Sequence, residues 1–147
     1  MGEGKGFPPI RAHKESNTLI ITKNSNYTKP VNYKASLIAG MNSRFLEQVS
    51  ISGDLVLSKG AQIMGDVKAK NVILGPWTMI RGNLAVKGDL LALDHCKVMG
   101  KVACEGSAVI RPYVVFQSLD AKGMIEYYGK KPAKHTKGRM VTKKEEK

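Results

Sequence analysis

The residues able to do chemistry are few and spread along the chain. His95 follows Asp94 and precedes Cys96, and a histidine beside an acid is one way to build a general base. Cys96 falls on the inward phase of an alternating apolar stretch, so His95 is expected to point outward as a surface histidine. Cys96 and Cys104 both take inward positions. Neither has a histidine or acid at a spacing that would make it a nucleophile, so both read as small, soft core residues. His13, His95 and His135 lie in the N-terminal stretch, the middle and the C-terminal stretch, which gives no converging set for a metal. Asp54, Asp66, Asp89 and Asp94 fall at corners without the dense glycine-aspartate repeat of a calcium roll, and read as solvated acids. The glycines form neither a phosphate-cradling loop nor a dinucleotide fingerprint. No catalytic residue, metal or cofactor is assigned, and the chain is read as non-enzymatic.

The remaining chemistry is charge. The 147 residues carry a formal net charge of +12. Half of it sits in residues 129–147, which hold seven lysines and one arginine against two glutamates. That stretch has no Leu, Ile or Phe, so it is expected to be a disordered basic tail. Lys130, Lys131, Lys134, Lys137, Arg139, Lys143 and Lys144 are its candidate contacts for an anionic membrane surface, a protein partner or nucleic acid. Interleaved aromatics for base stacking are lacking.

The length suggests one domain with a core of its own. The longest apolar runs are four residues, such as Leu90 to Leu93, well short of the ~18 of a membrane span. Met1 to Ile10 has no apolar signal region. Two cysteines make no disulfide framework. The expected location is cytoplasmic, with association at the inner face of the membrane as the second expectation.

The elements that must carry these residues emerge from an internal repeat. VSISGDLVLSKGAQIMG (49–65) aligns with LAVKGDLLALDHCKVMG (84–100) at an offset of 35. Within it, apolar residues come in pairs two apart, and the pairs recur every six: Leu84/Val86, Leu90/Ala92, Cys96/Val98, Val102/Cys104, Ala108/Ile110 and Val114/Phe116. The phase slips by one residue between 67 and 84, and again between 116 and 119. Alternation over three residues is strand periodicity. A corner former follows most pairs, among them Gly53, Gly65, Asn71, Gly82, Gly88, Gly100 and Gly106, as expected where a turn requires positive φ. Strands this short suit a solenoid: three make one triangular coil of 17–18 residues, and coils stack in parallel. Val49, Val67, Leu84, Val102 and Leu119 should form one inward column, and Ile51, Ala69, Val86, Cys104 and Ala121 the next. Leu19/Ile21, Val31/Tyr33, Leu37/Ala39 and Phe45 hold the same phase upstream. The expectation is an all-β, single-domain parallel β-helix over 19–128 with about six coils, a flexible leader at 1–18 and the tail at 129–147.

The stretch GAQIMGDVKAKNVIL (60–74), followed by IRGNLAVKGDL (80–90), resembles the bactofilins, polymer-forming cytoskeletal proteins of bacteria. The resemblance covers about 45–120. It implies a right-handed β-helix, end-to-end assembly into non-polar filaments, and tails that recruit partners or membrane. It also implies a phenylalanine in the last coil that supports polymer contacts, a place that Phe116 takes by phase. Ser118 in place of glycine and Trp77 within Gly75-Pro76-Trp77 depart from the family pattern.

Polymerisation also has a physical motive, because a β-helix ends in strands with unpaired backbone groups. Phe116, Met124, Ile125, Tyr127 and Tyr128 at one end, and Leu19 and Ile21 at the other, are the candidate polymer contacts. The expected function is a self-assembling cytoskeletal scaffold, with cell-wall or chromosome-positioning proteins as further partners. The alternatives are a hexapeptide-repeat acyltransferase-like trimer, which would need His95 as base, and a β-helix associated with nucleic acid through the tail.

Overall fold

A computed structural model describes residues 10–13, 17–128 and 135–143. The described chain is all β. Short strands stack in parallel into a three-faced solenoid of about six coils.

The first face is built from β4 (Val31–Tyr33), β7 (Val49–Ile51), β10 (Val67–Ala69), β13 (Leu84–Val86), the second half of β15 (Lys97–Cys104) and part of β17 (Val115–Tyr128). The second face is built from β2 (Thr18–Ile21), β5 (Ser36–Ala39), β8 (Leu55–Leu57), β11 (Val72–Leu74), β14 (Leu90–Ala92), β16 (Ala108–Ile110) and the end of β17. The third face holds β3 (Asn26–Tyr27), β6 (Arg44–Phe45), β9 (Gln62–Ile63), β12 (Met79–Ile80) and the starts of β15 and β17.

Register runs Leu19, Leu37, Leu55, Val72, Leu90, Ala108, Ile125 along the second face, in steps of 18 or 17 residues. The 17-residue steps explain the phase slips in the sequence. The corner between Ala69 and Val72 has two residues where the corner between Ile51 and Leu55 has three, and the corner between Phe116 and Leu119 is equally short.

Each three-residue strand turns two side chains inward and one outward, and each two-residue strand of the third face turns one each way, as a pleat requires. Both predicted inward columns are buried over their whole length. The third face adds Phe45, Ile63, Ile80, Val98 and Phe116. Tyr33 holds the inward phase but is 45% exposed, because it stands on the first rung of its face. Two polar side chains are also inside. Ser43 Oγ donates to the Gly40 carbonyl at 2.7 Å, and Thr78 Oγ1 to the Gly75 carbonyl at 2.9 Å. Each buried hydroxyl is thus satisfied within its own turn.

The corners correct two expectations. The acids there are not merely solvated. The Asp89 amide donates to Asn71 Oδ1 at 2.8 Å, the Ser107 amide to Asp89 Oδ1 at 2.9 Å, and the Met124 amide to Ser107 Oγ at 3.1 Å. A second column runs from Asp66 Oδ1 to the Asn83 amide and from Asn83 Oδ1 to the Lys101 amide. Side chains of one coil therefore accept from the backbone of the next. Glycine at these corners serves this ladder rather than positive φ. A Cβ on Gly88 would collide with Asn71 Oδ1. Six of the eight positive-φ residues among the described residues lie at the corner between the second and third faces, one per coil: Asn24, Asn42, Gly60, Trp77, His95 and Tyr113; Asn17 and Gly138 lie elsewhere.

The ends also differ from expectation. Within the leader, β1 (Ile10–His13) pairs antiparallel with β2. Within the stretch expected to be a disordered tail, β18 (His135–Lys143) pairs in parallel with β17, from Ser118↔His135 to Tyr128↔Lys143. The composition of 129–147 hides this strand, because threonines and a Met-Val pair can cover an edge without forming an apolar face of their own.

Candidate assembly surfaces

The predicted polymer contacts divide into two groups. Ile21, Phe116 and Ile125 are in the core, at 1%, 6% and 0% exposure. Leu19 and Tyr127 pack partly buried against that core. Met124 is 41% exposed. The Tyr128 ring lies under the Arg111 guanidinium, 4.6 Å from its centroid. Of the predicted tail contacts, Lys137 and Arg139 are exposed on β18 and Lys143 ends that strand. Lys130, Lys131, Lys134 and Lys144 lie outside the described residues.

The backbone edges define the two ends. At the N-terminal end, β1 covers β2 as an antiparallel strand, so the parallel stack of the second face does not end in an uncovered strand there. Among the described residues, β3 pairs only with β6, and β4 only with β7. The Val31 amide donates to Gln48, and the Tyr33 carbonyl accepts from Ser52. Alternate residues of a parallel strand bond to opposite neighbours, so Asn32 between them directs its backbone groups toward the open end. At the C-terminal end, β18 covers β17 on the first and second faces and pairs with no other described strand.

The positive-φ corner carries a feature the sequence reading missed. Trp77, His95 and Tyr113 take successive rungs, and their rings stack. The indole and imidazole centroids are 4.1 Å apart with planes 3° apart; imidazole and phenol are 4.7 Å and 11° apart. His95 is therefore half-buried between two rings, not a free surface histidine. Trp77 and His95 each end a turn in which the next amide returns to a carbonyl three residues back, Thr78 to Gly75 and Cys96 to Leu93. Such turns favour Gly or Asn at the positive-φ position, and Asn42 and Gly60 fill it in earlier coils. Beside the ladder, Arg111 Nε is 3.1 Å from Asp94 Oδ1. The recurrence of Trp77, His95 and Tyr113 at coil spacing, two of them after a proline, was the available signal.

The second face has a further property. Its outward column runs Ile20, Ile38, Val56, Ile73, Leu91, Val109 in continuous register. The sequence showed it as unbroken apolar triplets such as Leu55-Val56-Leu57 and Val72-Ile73-Leu74, the mark of a strand apolar on both sides.

Both thiols are free and buried. Burial pushes the Cys96 thiol up to about 12, with the nearby Asp94 charge adding to the rise. Burial raises Cys104 as well. Neither is a thiolate near neutral pH, as nucleophilic work requires. Among the described residues no group of three His, Cys, Asp or Glu is placed to hold a metal ion, and no helix is long and apolar enough to cross a membrane. Comparison with protein-family models, with curated proteins and with solved structures gives no match.

Proposed function

We propose that this chain is a non-enzymatic, bactofilin-like scaffold that assembles end to end through the terminal coils of its solenoid. The observation that carries this reading is the pair of open ends. Strands β3 and β4 at one end and β18 at the other each pair on one side only among the described residues. Open edges of this kind template further strands, and a solenoid of constant cross-section lets the next copy continue the core columns. The basic residues near the C-terminus, with Lys137 and Arg139 exposed on β18, then recur along the polymer. Weak contacts with an anionic surface or a protein partner gain by multivalency.

The test is negative-stain electron microscopy of the full chain at low and high salt, with Asn32→Pro alongside. Asn32 is exposed and its amide faces the open end, so proline there blocks an edge without removing an internal ladder bond. Phe116→Arg is a poorer probe, because it buries a charge in the core. Filaments in the wild type, shortened or lost in a still-folded Asn32→Pro, are expected. Discrete trimers in the wild type, or filaments of equal length in the variant, overturn the reading.

A further inference from the structure

We infer that the outer surface of the first face is a binding trough for a linear anionic polysaccharide of sparse charge. Three shallow cavities of about 400, 490 and 610 Å³ open on this face. They are continuous. Ser50 and Lys68 line the first and second, and Lys101 and Ala103 line the second and third. The concavity has a plain cause. Ser50, Ala85 and Ala103 are small outward mid-strand residues here, with Lys68 between the first two, where the second face carries Val56, Leu91 and Val109.

The lining has the chemistry of a hydroxylated anion. Lys34, Lys68, Lys87, Lys101 and Lys137 line the trough against two acids, Asp66 and Asp120. Gln48, Ser50, Ser52 and Asn83 add amides and hydroxyls between the lysines. Seven rungs, from Asn32 to Lys137, span about 29 Å at the usual strand spacing. The lining's net charge of +3 is thus about one per 10 Å, dilute beside the one phosphate per ~3.4 Å of a nucleic-acid strand. Tyr33 is the one aromatic residue in these linings, whereas single-stranded nucleic acid is held on several stacking platforms. Trp77 and Tyr113 stand on a different corner. A chain with a uronic acid at every second sugar presents hydroxyls to the amides and spaced carboxylates to the lysines.

The test measures binding of the full chain to hyaluronate, which carries one carboxylate per two sugars, to neutral pullulan and to oligo-dT near physiological salt. Lys68→Glu/Lys87→Glu changes the trough. Lys59→Glu/Lys97→Glu makes the same charge change at exposed sites on another corner and on the third face. Circular dichroism confirms that both fold, and the C-terminal residues are intact in each. The expected result is hyaluronate binding that falls at least tenfold in the trough variant and stays within twofold of wild type in the control. Equal weakening in both variants assigns the binding to overall charge and overturns the inference. So does binding of oligo-dT in preference to hyaluronate, or binding of neither.

Discussion

The indole of Trp77 and the imidazole of His95 lie parallel at 4.1 Å between centroids, although both residues stand on left-handed backbone, with φ of 61° and 64°. That conformation costs a bulky residue about 1 kcal/mol or more. Each ring contact returns about 0.5–1.5 kcal/mol. His95 makes two such contacts and the outer rings one each. The stack holds two contacts in all, so it offsets only part of the backbone strain of its three residues.

The ladder predicts a graded response. His95→Ala keeps the strain and loses both ring contacts, so it should destabilise by about 1–2 kcal/mol. His95→Asn loses the same contacts but relieves strain, and should cost less than half as much. Urea denaturation of the two variants checks this; equal losses would show that the backbone is unstrained there.

The side-chain ladder predicts coupling between coils. Gly88→Ala drives a methyl into Asn71 Oδ1 and breaks the bond to the Asp89 amide, an expected loss of about 1–3 kcal/mol. Asn71→Ala removes that oxygen. The double variant should then cost less than the sum of the singles by at least 0.5 kcal/mol. A double-mutant cycle by thermal or urea unfolding reads this, and strict additivity would contradict the ladder.

The buried thiol predicts an alkaline transition. An ordinary thiol near 9.0 is pushed up to about 12 at Cys96, so the folded chain holds this proton more tightly than the unfolded one. The contribution is therefore fully present below pH 9 and is lost as pH rises from about 9 toward 12. Wild-type stability should fall more steeply over that window than that of Cys96→Ala. Parallel slopes would place the thiol in contact with water.

Most of the fold was legible because the solenoid repeats its own physics. Val49, Val67, Leu84, Val102 and Leu119 announce a column by recurrence, and even the short corners at 70–71 and 117–118 appear as phase slips. The ends were not legible, because β1 and β18 cover edges once and repeat nothing. The roles of Asn71 and Asp89 were hidden for another reason. Their partners are amides 17–18 residues away, and the spacing becomes meaningful only when coils are stacked. Trp77, His95 and Tyr113 sit at coil spacing, yet propensity assigns that position to Gly or Asn, so Trp77 read as a departure from pattern, His95 as a surface histidine, and Tyr113 drew no reading.

The C-terminal strand predicts protection where composition predicted a loose tail. A chain ending at Tyr128 loses the pairing along Ser118–Asp120 and Met124–Tyr128. Amide hydrogen exchange in this segment should be slow in the full chain and at least tenfold faster in the truncated one. Unchanged exchange would mean that β18 contributes no pairing in solution.

End-to-end assembly is tested most directly by the axial repeat of the polymer. Coil-on-coil stacking keeps strands perpendicular to the filament axis at the ordinary strand spacing. Electron cryo-microscopy of full-chain filaments should therefore show a strong meridional reflection near ~4.8 Å. Filaments whose strands run along the axis, without that reflection, would contradict assembly through the terminal coils.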